Sequence, residues 1–167
     1  MLFTRIVSGG QTGVDRAALD SALKLGIDAG GWVPKGRLTE ENVPLPAKYK
    51  NMMETPSTDC QIRTEWNVRD SHATLLISRG KLEGGSALTL EFATKLERPY
   101  LHVNLEKQGI PECINLILKW LSHGEYEVLN IAGPRLSEDE EIYDKACLIL
   151  RPVSIASRNS NRIVSRC

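Results

Sequence analysis

Cysteine and histidine are few and scattered in this 167-residue chain, and their arrangement excludes several functions at once. The four cysteines, Cys60, Cys113, Cys147 and Cys167, form no C-x-x-C pair, and His72, His102 and His123 stand equally far apart. Zinc ribbons and thioredoxin-type redox sites need such residues at close spacing, so neither is supported. No apolar run approaches the roughly 20 residues of a membrane-spanning helix, and no signal-type apolar segment precedes Phe3. An excess of one charge is also lacking: 21 basic residues face 21 acidic ones. Neutrality argues against nucleic acid or an anionic membrane as partner. With three Trp, four Tyr and two Phe, the chain has little with which to build a stacking platform for single-stranded DNA. The expectation is a reduced, cytoplasmic protein whose partner is a small molecule.

What is present is an alternation of strand and helix patterns. Phe3–Val7 reads as a buried strand, and Gly13–Leu25 as a helix closed by Gly26. Ile27–Val33 is a second strand. A proline-punctuated stretch, Pro34–Thr58, is too long for an ordinary connector. Thr58–Asp70 reads as a helix with Thr58 and Gln61 spaced as a capping box. ATLLIS, Ala73–Ser78, is the clearest buried strand; a helix over Ser86–Leu96, a strand over Tyr100–Asn104 and a helix over Pro111–Leu121 follow. Val128–Ala132 is the fifth strand, and Ser137 with Glu140 caps a last helix running to about Leu150. The pattern predicts an α/β fold, a Rossmann-like parallel sheet of about five strands with helices on both faces. Residues 1–150 are expected as one domain and 151–167 as a basic polar tail. That tail holds four arginines and no acid, and reads as a loose strand or partly disordered end.

In such sheets ligands bind outside the carboxyl ends of the strands. The first turn there is SGGQTGVD, in which Gly9, Gly10, Gln11, Thr12 and Gly13 form a candidate phosphate loop. It offers Ser8, Gly10 and Gly13 to the dinucleotide fingerprint and lacks the lysine of a Walker A loop. Thr12 and Asp15 also have capping-box spacing. Where a nicotinamide enzyme wants an acid for the ribose, this chain has Lys35, which suits a phosphate or carboxylate. A second glycine turn, Gly84-Gly85-Ser86, follows ATLLIS. Arg63, Asn67 and Asp70 share a helix face that would suit a polar heterocycle or, equally, a solvated ion pair. Asn130, Gly133, Pro134 and Arg135 end the fifth strand at the same sheet edge. Glu91, between apolar neighbours, reads as a buried residue, either a general base or a structural contact.

Taken in order and spacing, GGQTGVDRAALD, GGWVPKGR, ETPSTD, RTEWNVRDS, GGSALT and LNIAGPR resemble the molybdenum carrier family over about residues 5–147. That family belongs to a Rossmann-like group that includes the lysine-decarboxylase-like proteins and the DNA-processing protein. The resemblance implies a carrier or store of molybdenum cofactor, a phosphorylated pterin that would be passed to molybdoenzymes, and a homo-oligomer. It assigns the phosphate to Gly9, Gly10, Thr12 and Gly13 and a second anion site to Gly84, Gly85 and Ser86, with Arg63 and Asn67 facing the ligand. The lysine-decarboxylase-like relatives imply an alternative, a nucleoside-monophosphate phosphoribohydrolase. Their P-G-G-x-G-T-x-x-E motif falls on Glu83–Glu91, where Gly84, Gly85 and Glu91 match while Glu83, Ala87 and Leu88 replace the proline, glycine and threonine.

Overall fold

Apolar β-branched runs alternating with amphipathic segments build a parallel sheet from both ends of the chain. The computed structural model describes residues 2–164, with side chains to residue 160. Six strands, β1 (Arg5–Val7), β2 (Asp28–Val33), β3 (Met52–Glu54), β4 (Ala73–Ser78), β5 (Tyr100–Asn104) and β6 (Val128–Ala132), pair in the order β3-β2-β1-β6-β4-β5. Every named pairing is parallel. Five helices accompany them: α1 (Val14–Leu25), α2 (Cys60–Arg69), α3 (Gly84–Lys95), α4 (Ile110–Ser122) and α5 (Ile142–Val164). Helix α5 packs between α1 and α4, while α2 and α3 pack on each other.

β4 is buried at all six positions because helices cover both sheet faces, which is why it reads as an unbroken apolar run. The core gathers Phe3, Ile6, Leu19, Leu75, Ile77, Ile117, Leu129, Ile131 and Ile149, all essentially inaccessible. The chain builds outward from β1 to β3, crosses to β4 and β5, and returns through β6 into the gap between β1 and β4. That reversal brings the ends of β1, β4 and β6 side by side, the place where open α/β sheets form a crevice.

Four expectations are corrected. The sheet has six strands, not about five: β3 lies inside the long Pro34–Thr58 stretch, where three residues pair with β2 through Gly31 and Met52. Three residues carry no readable period. Helix α2 is capped by Asp59, whose carboxylate accepts from Gln61 N–H at 2.8 Å, not by Thr58. Helix α1 starts at an N-cap Gly13 without any side-chain cap, so Thr12 and Asp15 form no capping box. The stretch after Arg151 is neither strand nor loose end, because α5 continues through Pro152 to Val164. Its serines suggested a loop, yet Ser157 Oγ accepts from Phe3 N–H at 3.0 Å and donates to Phe3 C=O at 2.6 Å, binding α5 to the start of the chain. Residues 165–167 of that expectation lie outside the described residues. No helix among the described residues is long and apolar enough to cross a membrane.

Candidate functional site

A cleft of about 270 Å³ opens where β1, β4 and β6 end. Gln11 and Asp15 from the first turn, Arg63 and Thr64 from α2, Gly85, Ser86 and Thr89 from α3, and Gly133 and Arg135 after β6 line it. Two of the glycine motifs picked out in the sequence therefore meet in one place, with the end of β6 as third wall.

The first turn is built to admit side chains as much as a ligand. A Cβ on Gly9 would fall 1.5 Å from Arg63 Nη1 and 2.8 Å from Asp15 Oδ2, so the missing side chain is the space those two groups occupy. Gly13 has φ +75°, and a Cβ there would meet Pro134 O at 2.2 Å. The same carbonyl accepts from Val14 N–H at 3.2 Å, so the segment after β6 caps the positive end of α1. Gly10 sits under the long connector, with Leu45 and Val33 methyls packed where its Cβ would stand. Ser8 is structural, its hydroxyl donating to Ile131 O at 2.7 Å.

Arg63 and Asp15 form the electrostatic centre. Arg63 Nη1 lies 3.6 Å from Asp15 Oδ2, and their side chains are only 14% and 7% exposed. At that distance they make an ion pair without a hydrogen bond. Arg63 Nε is buried with no partner among the described residues. The guanidinium thus keeps donors in reserve, which a buried polar group rarely does without a reason. Burial pushes the Asp15 carboxyl above its ordinary range, against the opposing pull of Arg63 and of Gln11 N–H, which donates to Oδ2 at 3.2 Å.

The start of α3 forms the opposite wall. Gly84 and Gly85 open this helix without a side-chain cap, so the Gly84 and Gly85 amides face an anion uncapped, while Ser86 N–H already donates to Glu83 C=O at 3.1 Å. Ser86 is buried, lines the cleft, and its hydroxyl makes no hydrogen bond among the described residues.

Other expected residues go elsewhere. Asn67 does not face the cleft: its Oδ1 accepts from Trp32 N–H at 2.8 Å and its Nδ2 donates to Trp32 C=O at 3.0 Å, fastening α2 to β2. Asp70 accepts from Trp32 Nε1 at 2.8 Å, so of the three-residue stripe only Arg63 reaches the cleft. Lys35 is exposed on the connector and does not line it. Thr12 and Gln11 are engaged by Glu40 of the connector. Glu91 is exposed on α3, away from the cleft, so both buried readings of it are overturned. An apolar neighbourhood in sequence did not mean burial, because α3 turns that position outward. The cleft holds two other carboxylates, Glu138, which accepts from Arg135, and the buried Asp15, whose i+4 relation to Gln11 was the available signal. Cys60, Thr64 and Thr89 also line the cleft without having been singled out, as does Gln61, which was read only as a capping partner. No cluster of three or more His, Cys, Asp or Glu able to hold a metal occurs among the described residues.

With this geometry in place, comparison with known proteins is informative. A crystal structure named "Putative molybdenum carrier protein", from Syntrophus aciditrophicus SB, superposes with a TM-score of 0.88 at 49% identity, covering 91% of this chain and 95% of that one. None of the curated proteins matches. The family model described as circularly permutated YpsA SLOG matches residues 6–154, which takes in all of the strands but Arg5 of β1, helices α1 to α4 and the whole lining of the cleft, and the chain therefore belongs to the circularly permutated YpsA SLOG family.

Proposed function

We propose that the chain binds a phosphorylated heterocycle of pterin type, molybdenum cofactor, in the cleft between α2, α3 and the end of β6, and carries or stores it. The observation that supports this best is the Arg63 guanidinium, buried beside the cleft with donors unspent. It stands across from the uncapped amides of α3 and the unbonded Ser86 hydroxyl, a donor set suited to a phosphate. At about 270 Å³ the cleft falls just below the roughly 300 Å³ at which ligand pockets begin, so it takes the phosphate end and the rest of the cofactor extends from its mouth. The similar structure named as a molybdenum carrier supports the choice of cargo. Gly84, Gly85 and Ser86 hold the phosphate with Arg63, whereas Gly9 and Gly13 make room for the groups that do. Molybdenum travels as part of the ligand, and recipient molybdoenzymes and self-association belong to the same proposal.

The test is made on protein purified from molybdenum-replete cells. After denaturation and oxidation, stoichiometric pterin fluorescence together with elemental molybdenum is expected, and Arg63→Ala loses both. Empty wild-type protein that also fails to bind added cofactor overturns the carrier reading.

A second reading has its own observation. Asp15 is a buried carboxyl whose burial raises its pKa against the pull of Arg63, and a raised carboxyl is what a general acid for a leaving base requires. A nucleotide N-glycosidic hydrolase would use Asp15, not Glu91. Base released from a nucleoside monophosphate by the wild type but not by Asp15→Asn decides for it; no release by the wild type decides against it.

A further inference from the structure

The connector between β2 and α2 returns across the first turn, and its Glu40 carboxylate is the densest of the ties that hold it there. Glu40 Oε1 accepts from Thr12 Oγ1 and from Ser137 N–H at 3.4 Å. Its Oε2 accepts from Ser137 Oγ and lies 3.6 Å from Arg135 Nε. Three hydrogen bonds, from Thr12 Oγ1, Ser137 N–H and Ser137 Oγ, thus converge on one anion, with the Arg135 guanidinium beside them as an ion pair that it shares with Glu138, 3.4 Å from the same Nε. Leu136 N–H donates to Thr12 Oγ1 at 3.1 Å, which turns the hydroxyl proton toward Glu40. Two hydroxyls, an amide and a guanidinium are the groups proteins assemble around oxyanions, and only one of the four is needed to anchor a loop.

The Glu40 side chain is 12% exposed. Its partial burial works against the charge, but the bonds from Ser137 and Thr12 outweigh it and hold the carboxyl below its usual range. Arg135 and Gln11 each serve two places: both line the cleft, while Arg135 pairs with Glu40 and Gln11 Oε1 accepts from Glu40 N–H at 3.0 Å. The anion pocket under the connector and the cleft therefore share a wall.

We propose that Thr12, Ser137 and Arg135 form an exchangeable oxyanion site beside the cleft, in which the phosphate of a phosphomonoester replaces the Glu40 carboxylate and so unlatches the connector. A phosphate group at neutral pH carries close to two charges and three acceptor oxygens, against one charge and two oxygens for the carboxylate. The three donors and the guanidinium beside them are better matched by the former. The connector is shaped to let Glu40 leave alone. Thr39 N–H and Oγ1 both bond Val43 C=O, at 3.0 and 3.1 Å, and Leu38 bridges Pro44, so 38–44 is a small closed turn carrying Glu40 on its edge. Beyond it Lys48 and Tyr49 stay fastened to Asp20.

This goes beyond the preceding proposal, resting on it only for phosphate chemistry and adding an oxyanion place apart from that of Gly84, Gly85, Ser86 and Arg63, and the probe is inorganic phosphate titrated calorimetrically into the full chain. Glu40 is an intramolecular competitor, so its removal raises the apparent phosphate affinity by the factor to which the latch is closed, about tenfold. Glu40→Ala is expected to bind phosphate at least that much more tightly. Glu40→Ala/Thr12→Val and Glu40→Ala/Ser137→Ala are expected to lose the gain. In the wild type, phosphate is expected to speed proteolytic cutting within 38–44. Should Glu40→Ala fold poorly, Glu40→Gln, which presents an amide to the same hydroxyls, gives the same readout. An affinity unchanged in both Glu40 variants, or a gain that survives Thr12→Val, overturns the proposal. If Arg63→Ala abolishes phosphate binding while the Glu40 variants change nothing, this proposal fails and the cleft reading stands. A Glu40-dependent gain that is indifferent to Arg63 sinks the cleft reading and keeps this one.

Discussion

Gly9→Ala isolates the role of Arg63 without touching it. Gly9 does not have a positive φ, so alanine suits the backbone. What the new methyl meets is the end of a side chain, Arg63 Nη1 at 1.5 Å and Cζ at 2.7 Å, with Asp15 Oδ2 at 2.8 Å. The long arginine swings away more easily than the sheet edge moves, so the fold survives, at a cost of about 3 kcal/mol because Asp15 is left buried without its partner. The guanidinium, however, leaves its position over the turn. A charge-assisted hydrogen bond contributes about 1.5–3 kcal/mol, so losing it from a phosphate weakens binding by roughly 10- to 150-fold. Calorimetric titration of a phosphorylated ligand into wild type, Gly9→Ala, Arg63→Ala and the double variant measures this, with thermal melts as the fold control. Because both substitutions remove the same contact, the double variant should bind no more weakly than Arg63→Ala alone. Wild-type affinity in Gly9→Ala, or additive losses in the double variant, would refute the assignment of Arg63 to the ligand.

Three further outcomes follow from the buried polar groups. Asp15 has its folded pKa raised by burial, so its destabilising contribution is full at high pH and is relieved as the pH falls through that value toward the unfolded one. The stability advantage of Asp15→Asn should therefore shrink on acidification from neutral pH; a difference that stays constant in melts across that range would contradict it. Asp20 accepts from Lys48, Tyr49 and Tyr143, and Asp20→Ala should cost about 2 kcal/mol and expose the connector to protease. An unchanged digestion pattern would show that the connector is anchored elsewhere. Ser154 is fully buried and its hydroxyl has no partner among the described residues, so Ser154→Ala should leave stability equal or raise it by about 1 kcal/mol, and a clear loss in chemical denaturation would refute this.

Strands β4, β5 and β6 were readable to the residue because each is a short apolar run with turns at both ends. Helix α4 was nearly as legible, since a proline at its start and a strongly one-sided apolar pattern agree. What escaped depended on contacts between distant segments. β3 is three residues long and is a strand only because β2 supplies a partner. The second half of α5 looks like a tail since its serines and asparagine favour loops in isolation. In the folded chain Val153 and Ser157 are wholly buried against the rest, and tertiary packing overrides propensity.

The site shows a sharper limit. A glycine-rich turn in sequence suggests backbone that approaches a phosphate, and three of the glycines were read in that way. In the structure Gly9 is occupied by Arg63 and Asp15, Gly10 by Leu45 and Val33, and Gly13 by the Pro134 carbonyl. Sequence spacing cannot distinguish a glycine that admits a ligand from one that admits another part of the same chain, because both require the same missing Cβ. Gly85 is different: among the described residues nothing outside its own helical turn stands within 4 Å of where its Cβ would be, and it faces the cleft. An alanine there is sterically free for the fold, so any penalty it causes must arise from a ligand. That makes the second turn, weaker as a motif, the stronger place to look for the phosphate.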